Sequence, residues 1–236
     1  MAMPARKAAA RRSSAGAANP ALRLRKILTR LDKKYPGVRC ALTHTSAWEL
    51  LAATILSAQC TDVRVNLVTP ALFARFPTPA AMAAAALPEL ESLIRTTGFF
   101  RNKAKNLRGA AARITQNFGG QVPATMEELL TLPGVARKTA NVVLGSWFGI
   151  AAGVVVDTHV LRISRRLELT KHTAPEKVEQ DMVRILPQER WIDFSHQIIH
   201  LGREICVARK PRCVDCPLED LCRAKDKTWS SAPFPS

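Results

Sequence analysis

An all-α fold follows from three features of this sequence. Apolar residues recur at helical spacing through most of its length, capping patterns open many of the apolar stretches, and Pro or Gly closes several of them. The first helix spans Ala21 to Tyr35, where Leu22, Leu24, Ile27, Leu28 and Leu31 form a stripe among Arg and Lys, and Pro36-Gly37 ends it. Ser46-x-x-Glu49 is a capping box for a second helix running through Leu50, Leu51, Ile55 and Leu56. The periodicity stops at Ser57-Ala58-Gln59-Cys60, and Asp62 is the expected cap of a third helix reaching toward Phe76. Thr78-Pro79 opens a fourth, with proline at the first helical position. Pro88 to Thr97 reads as a short helix closed by Gly98, and Asn102 to Phe118 as an amphipathic helix ended by Gly119-Gly120. Thr125-x-x-Glu128 starts the helix leading into the turn Pro133-Gly134-Val135. The next helix begins near Arg137, with Ala140, Val143, Leu144 and Trp147 on one buried face. Helices from Asp157 to Leu167, from the pattern Thr173-x-x-Glu176 to Leu186, and from Asp193 to Cys206 complete the chain, which shows no repeat at a fixed period.

A chain of 236 residues is long enough for one large or two modest domains. Lys and Arg total 35 against 19 Asp and Glu, a formal charge of +16. That excess favours a polyanionic partner, nucleic acid or an acidic membrane surface. No apolar run approaches the ~20 residues of a membrane span. No basic helix carries a long apolar opposite face either, which weighs against the membrane surface. One Tyr and eight Phe disfavour a broad platform for stacking single-stranded bases. Residues 1–20 are basic, rich in Ala and Ser and free of acidic residues. They lack the apolar core of a secretory signal and read as a disordered arm that adds non-specific DNA affinity, although the composition also resembles a mitochondrial presequence.

Chemistry concentrates in two places. At the turn before Arg137, Gly134 is the residue that tolerates positive φ, and the open amides of Gly134, Val135, Ala136 and Arg137 form a site for a phosphate. Lys138 then lies at the positive end of a helix dipole, which favours the neutral, nucleophilic amine. The plainer reading is a surface lysine after an ordinary interhelical turn. The second place is Cys206-x6-Cys213-x2-Cys216-x5-Cys222, four soft ligands within seventeen residues. The spacing admits a tetrahedral zinc or an iron–sulfur cluster, and only one close pair is present. Arg209, Lys210 and Arg212 lie in the loop between the first two cysteines, placed either for phosphate contacts or simply in solvent.

With these residues in place, the chain resembles the endonuclease III family of the helix-hairpin-helix superfamily. The resemblance runs from about Leu22 to Lys225 through ELLAATILSAQCTDVRVN, TPAAM, TTGFFRNKAKN, LPGVARKTANVVL, VVDTHVLR and ARKPRCVDCPLEDLC. It implies two helical domains with a DNA groove between them: a six-helix domain over 40–150, and an iron–sulfur domain joining 21–39 to 151–225, followed by a tail over 226–236. It also implies a [4Fe–4S] cluster on Cys206, Cys213, Cys216 and Cys222. The implied activity is that of a DNA glycosylase and AP lyase removing oxidised pyrimidines from duplex DNA.

Residue by residue, Lys138 matches the family's nucleophile and Asp157 its catalytic aspartate; alone, Asp157 reads as a helix cap. Gln59 matches a residue that inserts beside the orphaned base, and Phe99 falls where the family carries a wedge, usually leucine. Ala136 stands where the family hairpin usually has glycine. His159 is placed to touch a phosphate or support the site. The implied protein is a monomer acting on damaged or abasic duplex DNA, cytoplasmic and nucleoid-associated in a bacterium, nuclear or mitochondrial in a eukaryote. Two other readings share many of these residues: a monofunctional mismatch or adenine glycosylase, against which Lys138 argues, and a non-enzymatic iron–sulfur DNA-binding protein.

Overall fold

The computed structural model describes residues 19–228, and every regular element among them is helical. Most of the arm expected over 1–20, and residues 229–236 of the tail, lie outside the described residues. Helix α1 (Pro20–Lys34) starts on Asn19, whose side chain accepts from the Ala21 amide. Ser46 and Thr125 cap α2 (Ala47–Leu56) and α7 (Met126–Leu130) through the Glu49 and Glu128 amides, as the capping-box pattern requires. Helix α3 (Asp62–Arg75) is capped by Thr61 rather than Asp62, which leaves the Asp62 carboxylate to pair with Arg203. Thr78 caps α4 (Pro79–Ala83), and α5 (Leu87–Ile94) runs into a 3₁₀ turn over Arg95–Thr97. Helix α6 (Phe100–Asn117) begins two residues earlier than the sequence pattern indicates.

After the hairpin come α8 (Arg137–Ser146), α9 (Thr158–Arg166), α10 (Pro175–Ile185) and α11 (Trp191–Glu204). Thr173 does not cap α10. Pro175 sets the helix start, Ala174 becomes the N-cap without a side-chain bond, and Thr173 is left one residue too far upstream. Trp147 likewise leaves the buried face of α8. The helix ends at Ser146, and the indole turns outward, edge-on to His44 with ring centroids 6.0 Å apart.

The helices enclose two cores. One extends from Leu42 to Val155 and includes Leu50, Leu72, Met82, Leu107, Ile114 and Leu144. The other joins Ile27 and Leu31 of α1 to Val160, Ile163, Met182, Phe194, Ile198 and Leu218. Between α8 and α9 the buried chain alternates, with Val155 in the first core and Val154 and Val156 in the second. Asp157 follows immediately, so this crossing places it at the junction of the two cores.

Helix α1 also holds the cysteine-rich end of the chain. The buried Arg23 guanidinium donates to the carbonyls of Leu167 and Leu221, and Arg30 donates to the carbonyl of Pro217 and pairs with Asp220. At the other end of α1, hydrogen bonds from Arg190 hold the Asp32 carboxyl below its ordinary range, with Gln197 adding and burial opposing. A carboxyl whose pKa is depressed by folding supplies stability that is present above its unfolded pKa and lost as pH falls through the folded one. Asp32→Asn is therefore expected to lower the melting temperature near neutral pH. Its thermal unfolding curve, followed by circular dichroism, should converge with wild type in acid.

Candidate active site and cysteine cluster

The hairpin between α7 and α8 is shaped by Gly134, which sits at φ 76 in the left-handed region. A Cβ there would lie 2.7 Å from Asn106 Cβ on α6, so glycine answers both the backbone and the space. Ala136 is the N-cap of α8 at φ −99 and ψ 172, ordinary extended backbone in which its methyl group is unstrained. Val135 does not serve the phosphate site expected of it. Its side chain is buried and its amide is used by the Leu132 carbonyl at 3.1 Å. The amides of Gly134 and Ala136 make no hydrogen bond among the described residues. No side chain caps α8, so its first-turn amides at Arg137 and Lys138 are open as well. Lys138 is exposed and makes no ion pair or hydrogen bond among the described residues.

Arg137 is less free. Its Nε donates to Glu179 Oε2 at 2.9 Å, while Asn141 Nδ2 donates to Glu179 Oε1, also at 2.9 Å. Glu179 projects from α10 and is only 6% exposed. A Cβ on Gly153 would sit 2.2 Å from Glu179 Oε1, so the crossing segment passes directly against this carboxylate. Glu179 therefore ties the start of α8, beside Lys138, to the segment that ends at Asp157. Asp157 caps α9 with one oxygen, Oδ1, which accepts from the amides of His159 and Val160 at 2.8 Å each. Its Oδ2 makes no hydrogen bond among the described residues. His159 is packed against Gly202 of α11, and burial lowers its pKa, with Asp157 opposing. Its Nδ1 lies 3.3 Å from Arg162 Nη2, which also donates to the Cys206 carbonyl at 2.6 Å. This position suits support of the site better than contact with a phosphate.

Gln59 and Phe99 lie in separate loops, after α2 and before α6, and both are exposed. Both adopt the left-handed conformation, φ 53 and φ 48, a strain of about 1–3 kcal/mol that persists only where the surroundings impose it. Glu168, after α9, and Lys210, exposed beside Arg209 in the cysteine loop, are two further such residues at φ 49 and φ 52. Arg212 instead turns back on the loop, with Nε 2.6 Å from Asp215 Oδ2.

Cys206, Cys213, Cys216 and Cys222 line one small cavity, and none is in a disulfide. They surround it rather than converge, and among the described residues no three Cys, His, Asp or Glu side chains could share a single ion. Burial raises the Cys206 thiol, with Arg166 and Arg162 opposing, and pushes Cys216 up to about 11. Arg166 lines the same cavity, and its buried Nε and Nη2 have no hydrogen-bond partner. Four thiolates spaced around a cavity, with orphaned cationic donors beside them, fit an anionic polynuclear iron–sulfur group.

Residues 52–188 match the family of HhH-GPD superfamily base excision DNA repair proteins, and residues 206–222 match the iron–sulfur binding domain of endonuclease III. Endonuclease III of Synechocystis is 58% identical over 85% of this chain and 91% of its own length. That of Escherichia coli K12 is 41% identical over 89% and 98%. The chain belongs to the endonuclease III family. A trapped covalent endonuclease III–DNA intermediate superposes with a TM-score of 0.82 at 42% identity, covering 87% of this chain and 96% of that one. A non-covalent endonuclease III–DNA complex gives 0.83 at 43% identity with the same coverage.

As a member of the endonuclease III family, the protein is a base excision repair DNA glycosylase and AP lyase carrying a [4Fe–4S] cluster. No described helix is long and apolar enough to cross a membrane. The sequence reading overlooked Glu179, Asn141, Arg166 and Lys103, the last a buried lysine of α6. Only Lys103 left a local signal, since it falls on the apolar stripe with Leu107, Ala110 and Ile114. Gly134→Ala is expected to lower stability by about 1–3 kcal/mol in urea unfolding, because it adds strain at positive φ and a close contact with Asn106. Ala136→Gly should leave affinity for abasic duplex within about twofold of wild type, since φ −99 needs no glycine.

Proposed function

We propose that this enzyme excises oxidised pyrimidines from duplex DNA and then nicks the strand 3′ to the abasic site, with Lys138 as nucleophile. The observation that carries the assignment is the Glu179 clamp. It holds the start of α8, where Lys138 is free, against the segment that delivers Asp157. The open amides of Gly134, Ala136, Arg137 and Lys138 would take a backbone phosphate, and the +16 chain would draw duplex DNA into the groove between the two cores. Arg209 and Lys210 add phosphate contacts from the cysteine loop, whereas Arg212 buttresses that loop through Asp215. The protein acts as a monomer in this reading.

The damaged nucleotide is swung out of the stack, with Gln59 and Phe99 entering the space it leaves. The neutral Lys138 amine attacks C1′, the C1′–N bond breaks, and the base departs with the electron pair and takes up a proton. The Oδ2 atom of Asp157 faces the positive charge that develops on the sugar, while Oδ1 keeps α9 in place. Loss of the amine proton and ring opening at O4′ form the imine. Removal of a C2′ proton then expels the 3′ phosphate, and water releases Lys138. Cys206, Cys213, Cys216 and Cys222 would hold the cluster, with Arg166 donating beside it. When bound, it supplies a rigid anionic cross-link for the 206–222 loop.

Borohydride should trap a covalent adduct between wild-type protein and a duplex bearing one thymine glycol. Lys138→Gln is expected to abolish trapping and nicking while duplex affinity stays within about threefold. A variant that still nicks at wild-type rate would overturn the assignment, and base release without trapping in wild type would make the enzyme monofunctional. Asp157→Asn offers a cleaner separation of roles. Asparagine caps helices as well as aspartate does, so folding should persist while single-turnover base release falls by about 10²–10⁴-fold.

A further inference from the structure

Lys103 is 4% exposed, on the face of α6 that packs into the first core. Its Nζ donates to the Leu56 carbonyl at 2.8 Å and to the Thr97 carbonyl at 2.7 Å. Leu56 is the last residue of α2, and Thr97 ends the 3₁₀ turn after α5. One ammonium thus sits at the negative ends of two helical segments. Neither carbonyl has another donor among the described residues. An apolar side chain of similar length would fill the same space without burying a charge, so packing alone does not account for lysine here.

What the two carbonyls share is what comes next along the chain. Gln59 follows the Leu56 anchor and Phe99 follows the Thr97 anchor, each within three residues. Both are exposed, and both are held at positive φ. A residue with a Cβ stays in that conformation only when its flanks are fixed. Leu56 and Thr97 are the fixed points at the roots of these loops. The two loops arise from different helices, and Lys103 is hydrogen-bonded to the root of each.

We infer that Lys103 is a positioning residue for base extrusion, joining the roots of the Gln59 and Phe99 loops so that both side chains enter the duplex at one fixed separation. The inference rests on the reading of Gln59 and Phe99 given above. Loss of the ammonium would leave Lys138 and Asp157 untouched and would free the two loops to move independently. The defect should therefore appear only where the enzyme has to open a paired duplex.

The test compares one oxidised pyrimidine in a fully paired duplex with the same lesion inside an unpaired bubble, under single turnover. With Lys103→Met, base release from the paired substrate should fall by about tenfold or more, and release from the bubble should stay within about twofold. Fluorescence of 2-aminopurine next to the lesion, which reports unstacking, should rise correspondingly more slowly. Lys103→Arg retains the charge as a second variant, and it should show the same substrate-selective loss at smaller amplitude. Equal losses on both substrates, or no loss, in the folded variants would overturn the inference. Phe99→Ala tests the underlying reading separately: without a duplex-selective loss the wedge role fails and takes the inference with it. Where Phe99→Ala does show that loss, adding Lys103→Met should cost less than about twofold more, because Lys103 sets the separation of two side chains and Phe99→Ala has already removed one of them, and full additivity would refute the coupling.

Discussion

A buried carboxylate shared by three chain segments sets the geometry on which this enzyme depends. Glu179 uses one oxygen for Arg137 and the other for Asn141, both on α8, and presses against Gly153 in the strand-like crossing to α9. Its neighbours lie far before it in sequence, on α8 and on the crossing between the two cores. Removing one partner of a buried, hydrogen-bonded ion pair costs about 3–5 kcal/mol, against at most about 1 kcal/mol for an exposed pair. Arg137 is half exposed, which places this pair between those limits; Arg223–Glu168, open on both sides, belongs at the lower one. Gly153 is required here by proximity rather than by backbone conformation, since any Cβ would occupy the space of the carboxylate oxygen.

From that clamp the site extends in two directions. On one side, it leaves Lys138 at an uncapped helix start and Asp157 with one oxygen committed to structure and one without a partner among the described residues. In the proposed mechanism capping and catalysis share this side chain without conflict, because the two oxygens of a carboxylate can serve different partners. On the other, His159 meets Arg162, and Arg162 reaches the Cys206 carbonyl. The cysteine loops are in turn braced by α1 through Arg23 and Arg30, and by Asp226 and Lys227 pairing with Arg166 and Glu219. The start of the segment read as a tail is therefore part of the cluster's enclosure. A group bound by the four thiolates would stiffen a region already tied to the helix that Asp157 caps.

The sequence disclosed whatever acts over a few residues. Helical period, the Ser46 and Thr125 caps, the positive φ at Gly134 and the spacing of the four cysteines all follow from contacts within a turn or a short loop. Even there, close competition was decided by the fold. Thr61 and Asp62 are both acceptable caps, and the choice fell to Thr61 because Asp62 has Arg203 to meet from α11. Val135 is in the hairpin as the pattern requires, yet its amide closes the turn on Leu132 and cannot also hold a phosphate.

Tertiary structure alone decided which distant groups share a site. A glutamate in the middle of α10 and an arginine on α9 look like ordinary polar residues in the chain, and a lysine on α6 betrays only that it lies on an apolar face. Burial converts them into a clamp, a donor for the cysteine cavity and an anchor for two loops. A polar group removed from water must find partners, and those partners lie across the fold, at separations that no local pattern records. The sequence by itself determined an all-helical chain with a hairpin lysine, a capping aspartate and four cysteines. Folding determined that the lysine and the aspartate hang from one buried carboxylate, and that two exposed left-handed residues are rooted on one buried ammonium.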